Sequence, residues 1–163
     1  MTTPDNLTPI LKAILKDAED LLKDDGRPVG HVSYQPGNTV SWDDCEDCRQ
    51  GGQLWVRLIS LVPQPAGGSQ PCGPLANQVR AALGVVRCVH GVTDEGFPSP
   101  EELTGDATQI TEDAFSLQNA LVNYDWPSQF VGVKTVNIES GLPLGPQGFC
   151  AGFEWTFAFK MLR

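Results

Sequence analysis

Apolar residues alternate with other residues most regularly at the C-terminal end of the chain, from Gly148 to Arg163. A period of two is typical of a strand with one buried face. We expect this strand to lie inside a sheet and to anchor the core with its aromatic side chains, because each buried ring removes about 150–250 Å² from water. The predicted buried face consists of Phe149, Ala151, Phe153, Trp155, Phe157, Phe159 and Met161.

Three segments have the spacing of helices with one apolar face. The first runs from Thr8 to Asp24, with Thr8 as its cap and Pro9 at its first position. The second begins at Pro74 and ends at Gly84. The third ends at Asn123 and begins at Pro100 or at Asp106, because Gly105 could break its first turn. Ser99 and Glu102 have the spacing of a capping box before it.

The remaining periodic segments predict strands, and the order of all elements predicts a fold class. Gln53 to Val62 is apolar on both faces, which is typical of a central strand. The apolar parity of 131–139 shifts between Val133 and Val136, which predicts a bulge, and the segment 141–146 is predicted to connect it to the last strand. We predict one α+β (α/β) domain over 1–163, a mostly antiparallel twisted sheet with two to three helices packed on it. The other predicted extended segments are Val29–Tyr34, Thr39–Trp42 and Val85–Val89.

The charge of the chain narrows the classes of partner. Its net charge is −9, from 20 acidic and 11 basic residues, which argues against a nucleic-acid reader and against binding to an anionic membrane surface. No apolar run approaches the roughly 20 residues that span a bilayer. The polar N-terminus lacks the apolar core of a signal peptide. We therefore expect a protein made in the cytoplasm, with no membrane partner.

The cysteines and histidines offer candidate chemistry without a recognisable site. Cys45 and Cys48 form a CxxC pair, but a zinc site needs two more ligands, and His31, Cys72, Cys88 and His90 match no familiar spacing. Zinc, a loop-closing disulfide or redox pair, and plain loop cysteines stay open for this pair, with plain loop cysteines favoured. The odd number of cysteines argues against a full disulfide framework.

Other site patterns are also incomplete. The acidic loop Asp43–Asp47 lacks the spacing of a calcium-binding loop, and no glycine-rich phosphate motif is present. His31 and His90 lie outside any catalytic signature, and sheet or loop roles are favoured for both. The four tryptophans are predicted to be core or rim residues: Trp42, Trp55, Trp126 and Trp155. We predict no catalytic, cofactor-binding or metal-binding residues, no cofactor and no enzymatic activity.

The order of elements resembles that of the tail terminator proteins of long-tailed, non-contractile bacteriophages, especially phages that infect actinobacteria. The resemblance covers nearly the whole chain. It includes the N-terminal helix, the run Ala81–Cys88, the helix Asp106–Asn123 and the ending Gly145–Thr156. The pattern Gly148-Phe-Cys-Ala-Gly-Phe-Glu-Trp-Thr156 is its most specific part.

The resemblance implies a structural protein of the head–tail junction of the virion. Such a subunit is expected to form a homo-oligomeric ring, a hexamer, that caps the tail tube and ends its polymerisation. Its partners would be the tail tube protein and the head-completion or stopper protein, and DNA would pass through the ring without sequence-specific binding. The alternatives are another connector (a stopper or adaptor), a tail-tube component, or a small zinc- or thiol-dependent enzyme.

Overall fold

The structure is a computed structural model that describes residues 7–37, 39–40, 51–65, 75–126 and 133–162. These residues form two helices and one five-stranded sheet, which confirms the predicted α+β class. In chain order the elements are α1 (Leu7–Asp24), β1 (His31–Gln35), β2 (Gln53–Pro65), β3 (Leu75–Cys88), α2 (Pro100–Asn123), β4 (Val133–Gln147) and β5 (Cys150–Leu162).

The strands lie in the order β1-β2-β3-β5-β4. The first two pair in parallel, and every other neighbouring pair is antiparallel, as predicted for most of the sheet. β5 pairs along nearly its full length with β3 on one side and with β4 on the other. The prediction that the last strand lies inside the sheet, with the preceding strand as a neighbour, is therefore confirmed.

One face of the sheet carries both helices and the main core. Leu83 of β3 and Phe157 of β5 are fully buried there, under Leu11 and Ile14 of α1 and Leu117 of α2. Trp126, just after α2, packs its ring 5.2 Å from the ring of Phe159. The apolar faces of the two helices thus pack against the odd-numbered residues of β3 and β5.

The helix ends are largely those that the sequence predicts. Ser99 accepts a hydrogen bond from the backbone N–H of Glu102, and the Glu102 carboxylate accepts one from the N–H of Ser99, so the capping box is confirmed. The backbone N–H of Ser99 lowers the pKa of Glu102. Gly105 does not break α2, which begins at Pro100. α1 begins at Leu7, so Thr8 is not its cap and Pro9 is not its first residue.

The predicted helix between Pro74 and Gly84 is wrong. Residues 75–88 form one strand, which merges this segment with the predicted strand Val85–Val89. Leu75, Val79, Ala82 and Leu83 do recur at helical spacing, but Val79, Ala81, Leu83 and Val85 also alternate and face the core. Pairing with β2 and β5 on both sides overrides the helix propensity of the alanines.

Gly84 is a strand residue, and the reason it is glycine lies across the sheet. A Cβ at this position would come within 2.5 Å of Cζ2 of Trp55, its register partner on β2. The indole of Trp55 is fully buried over this site, on the face opposite the helices. The glycine that predicts the end of a helix instead makes room for a tryptophan.

β4 confirms one prediction and corrects another. The register with β5 shifts between Val133 and Val136, where a bulge is predicted. However, the predicted connection 141–146 belongs to the strand, which continues to Gln147 through two further register shifts. The hairpin therefore has a tight turn at Gly148 and Phe149.

β2 differs from the predicted strand in its burial, and β1 differs in its first residue. β2 is central, as predicted, but only its first half is covered on both faces, because Leu61 and Val62 are 47% exposed. β1 begins at His31, two residues later than predicted. Thr39 and Val40 are not in a strand, and the rest of that predicted extended segment lies outside the described residues.

The aromatic face of β5 is buried only toward the end of the strand. Phe157 and Phe159 are buried, Phe153 and Trp155 are partly buried, and Phe149 is 49% exposed. The expectation that the whole face is buried is wrong for the beginning of the hairpin. α2 extends over that end of the sheet but does not fill the space beside it.

Phe157→Ala is predicted to lower the free energy of unfolding by about 3–5 kcal/mol, because it leaves a cavity in the centre of the core. Phe149→Ala is the matched control and is expected to cost less than about 1 kcal/mol, because its ring is half exposed. Urea unfolding of the two variants measures both values. Equal losses would place the core at the wrong end of β5.

Candidate functional site

The histidines and cysteines considered as ligands are not gathered into one site. His31 is exposed and pairs with Gln53 in the sheet, whereas the Nδ1 of His90 lies 3.1 Å from the carboxylate of Asp106. Cys45, Cys48, Cys72, Trp42 and the acidic loop lie outside the described residues. Among the described residues, no three His, Cys, Asp or Glu side chains are placed to hold a metal ion.

Cys88 and Cys150 are disulfide-bonded, which the sequence does not predict. They are opposite one another in the register of β3 and β5, so the bridge joins the end of one strand to the start of the other. The chain between them contains α2 and β4. The number and spacing of the cysteines do not indicate this pair, because it depends on the long strand β3, for which the sequence predicts a helix and a short strand.

A buried carboxylate on α2 is held by two guanidinium groups. Asp113 is fully buried, and its Oδ1 and Oδ2 accept hydrogen bonds from Nε of Arg27 at 2.9 Å and from Nε of Arg87 at 2.7 Å. Arg87 also donates to the carbonyl oxygens of Arg27 and Pro28, both at 2.8 Å, and to that of Gly51. Two guanidinium groups thus compensate for the removal of this carboxylate from water, and the carbonyl oxygens satisfy the remaining N–H groups of Arg87.

A second buried carboxylate lies on the opposite face of the sheet. Glu154 accepts a hydrogen bond from the indole Nε1 of Trp55 at 2.9 Å and a two-pronged pair from Arg57 at 2.9 and 2.7 Å. This pairing raises the pKa of Arg57. Both buried carboxylates are therefore bound by arginine within the fold, where they join elements to one another.

An apolar groove lies between α2 and the β4–β5 hairpin. This groove has a volume of about 510 Å³. Trp155 forms part of its floor, where Nε1 donates to the carbonyl oxygen of Ala114 at 2.7 Å and the ring lies 5.2 Å from that of Phe153. Apolar side chains of three elements line it, principally Ile110, Phe115, Pro143, Pro146, Phe153 and Trp155.

The groove exists because α2 is longer than the core beneath it. α2 has 24 residues, but its buried residues all lie between Asp113 and Leu121. The first half therefore projects beyond the core, with Leu103 half exposed and Ala107 exposed. The apolar stripe of α2 predicts a core-facing helix correctly for the second half only.

The outward surface of this half of α2 is less polar than its sequence indicates. The hydroxyls of Thr104, Thr108 and Thr111 donate to carbonyl oxygens one turn back in the helix, at 2.7–2.8 Å. Their hydrogen-bonding groups are thus used internally, and the methyl groups contribute apolar surface. Phe115 follows them and is 61% exposed.

Exposed apolar side chains are frequent in the described part of the chain. Contiguous surface of this kind, rimmed by polar residues, is typical of interaction sites. The groove and its neighbourhood contribute Leu103 and Phe115. The large exposed side chains are Val32, Leu61, Val62, Val92, Phe97, Leu103, Phe115, Val122, Leu142 and Phe149.

The segments of α2, β4 and β5 that line the groove carry no lysine or arginine. Between Arg87 and Lys134 the sequence has no lysine or arginine, and between Glu139 and Glu154 it has no charged residue. The α2 side of the groove is thus acidic and the hairpin side is neutral. This run without cations was a sequence signal that could have indicated the surface. The acidic residues of the first stretch are Asp94, Glu95, Glu101, Glu102, Asp106, Glu112, Asp113 and Asp125.

The tryptophan prediction is confirmed for the described residues. Trp55 and Trp126 are buried, and Trp155 is partly buried. The sequence does not predict the groove residues as a site, because its alternation places Phe153 and Trp155 in the core and its turn residues predict a connection at 141–146. Only the pairing of β4 with β5 brings these side chains opposite α2.

Comparison with known proteins gives no family assignment: the chain matches no protein-family profile and no curated protein. None of the helices in the described residues combines the length and the apolar character required to cross a membrane.

Asp113→Ala is predicted to cost about 3–5 kcal/mol of stability, because it leaves the buried guanidinium group of Arg87 without its carboxylate and with the cation of Arg27 nearby. Asp20→Ala removes one of the two carboxylates beside the exposed Lys16 on α1 and is expected to leave the midpoint of unfolding nearly unchanged. Chemical denaturation of both variants provides the comparison. A mild effect of Asp113→Ala would mean that this pair does not hold α2 in place.

The double variant Cys88→Ala/Cys150→Ala is predicted to lose about 2–5 kcal/mol, because the bridge closes a long loop in the unfolded chain. Dithiothreitol should destabilise the wild-type chain and leave the double variant unchanged. As a direct check, titration of the unfolded, unreduced protein should find at most three of the five cysteines free. Five free thiols would contradict the bridge.

Proposed function

We propose that this chain is a structural protein of a bacteriophage virion, the terminator that caps the tail tube at the head–tail junction. The order of elements and the ending Gly148–Thr156 resemble that family. The single α+β domain with a mostly antiparallel sheet is the fold class that the resemblance implies. In this proposal the chain ends tail polymerisation and provides the face on which the head docks.

The observation that carries the proposal is the amount of apolar surface left exposed around a well-packed core. Phe97 is 87% exposed, and Phe115 and Val122 are each more than 60% exposed. An apolar groove of about 510 Å³ adds to this surface. Side chains of this kind are stabilised when a neighbouring protein covers them, as in a ring between a tube and a head.

The electrostatic character supports a role beside DNA without binding to it. The net charge is −9, and the described arginines Arg27, Arg57, Arg80 and Arg87 are each paired with a carboxylate of the same chain. In a ring of such subunits these arginines are already bound to carboxylates, and acidic residues outnumber basic ones 20 to 11. DNA could then pass through the ring without being retained.

We propose a structural role and not an enzymatic one. The buried carboxylates Asp113 and Glu154, which would be candidates for acid–base chemistry, are both bound by arginine and connect elements of the fold. The proposed partners are further copies of the chain in a hexameric ring, the tail tube protein and the head-completion protein. The proposed location is the virion.

Deletion of the gene from the phage genome, followed by electron microscopy of the lysate, tests the proposal. We expect overlong tails of variable length without heads, because nothing would stop the tube or dock the head. Supplying the gene in trans should restore tails of uniform length. Headed tails of normal, uniform length in the deletion lysate would contradict the terminator role.

A further inference from the structure

We propose that the groove between α2 and the β4–β5 hairpin docks a segment of another protein that carries apolar side chains flanked by lysine or arginine. The inference concerns one surface of the purified chain. It does not depend on the proposed place of the protein in a phage tail. It rests on the shape of the groove, on its lining and on the charge around it.

The groove has the size and the lining of a site for apolar side chains. Its volume of about 510 Å³ exceeds that of a single aromatic ring, and no charged residue lines it. Trp155 is fixed by its hydrogen bond to Ala114, so this part of the floor is formed before a ligand arrives. An apolar segment that enters the groove would cover Phe115, which is otherwise 61% exposed.

The surface continues from the groove across α2 to an acidic edge. A shallow depression shares Ala107 and Thr111 with the groove and reaches Glu112. The next depression shares Thr104, Thr108 and Glu112 with the first and reaches Glu101. A bound segment can therefore place apolar side chains in the groove and cations over the outer side of α2.

The arginine that binds this edge does not neutralise it. Arg27 binds Glu112 at 2.9 Å, but it also binds Asp25 and the buried Asp113. One guanidinium group is thus shared among three carboxylates. The hairpin side of the groove has no charge, so the cations of a partner would be favoured on the α2 side only. This asymmetry sets one orientation for the bound segment.

The same charges disfavour other occupants. Two copies that met groove to groove would bring their acidic edges together, and a net charge of −9 opposes such a contact. A phosphate backbone would be repelled by Glu101 and Glu112. A basic, apolar protein segment is the chemistry that complements both parts of the surface.

A synthetic peptide tests this inference with a defined probe. The peptide carries leucines along one helical face and lysines on either side of them, in the manner of a helix that lies in a groove. In the first control peptide glutamates replace the lysines, and in the second serines replace the leucines. Amide chemical shifts of the isotope-labelled full chain report where each peptide binds.

We expect the basic apolar peptide to shift the amides of 107–115 and 141–155, with binding that weakens as salt is added. Both control peptides should bind at least about tenfold more weakly, which corresponds to the loss of one good contact. Phe115→Ser should weaken binding about tenfold, and Ala107→Arg should also weaken it, because it places a cation over the groove. Val122→Ser is the matched control, on the same helix with the same exposure outside the groove, and should change little.

Three results would overturn the inference. Binding of the serine peptide as tight as that of the leucine peptide would show simple attraction to an acidic protein. Equal peptide binding by Phe115→Ser and Val122→Ser would place the site elsewhere. Association of wild-type chains in sedimentation, abolished by Phe115→Ser alone, would make a second copy the occupant. None of these results bears on tail length in the deletion lysate, so the two proposals fail separately.

Discussion

The arrangement of this domain depends on the burial of one carboxylate. Asp113 lies on α2 at the position where the helix enters the core, and the guanidinium groups of Arg27 and Arg87 bind its two oxygens. Arg27 follows α1 and Arg87 lies on β3, so a single side chain fixes both helices relative to the sheet. Ser116 adds to this junction by accepting from Arg27 at 2.6 Å and donating to Asp25 at 2.7 Å. Because an unpaired buried charge is so costly, the three elements have to assemble together.

The sequence predicts those features of the fold whose signal lies within a single helix or strand. The capping box at Ser99, the stripe of α1 and the alternation of β5 are local signals, and the structure confirms them. The helix prediction is wrong for β3 because its alanines and Gly84 fit helical and strand patterns equally. Only pairing with β2 and β5, and the packing of Trp55 on Gly84, decides between them.

The groove between α2 and the β4–β5 hairpin also cannot be predicted from local patterns in the sequence. Phe153 and Trp155 belong to the same alternating face as Phe157, and nothing local shows that α2 covers one end of that face more closely than the other. The groove forms because α2 extends beyond the residues that it covers in the core, and this extension is a property of the assembled domain. The run without lysine or arginine between Arg87 and Lys134 was visible in the sequence, but its meaning depends on where α2 lies.

β4 has a consequence for how this subunit can meet its neighbours. It is an edge strand of 15 residues, but it carries Pro143 and Pro146 and three shifts of register. Prolines and bulges interrupt the row of backbone donors and acceptors that a strand of another molecule would need. The sheet is therefore closed to extension along β4, and contacts at this side of the domain must be made by side chains. Such contacts select their partner by shape and charge, whereas backbone pairing would accept almost any exposed strand.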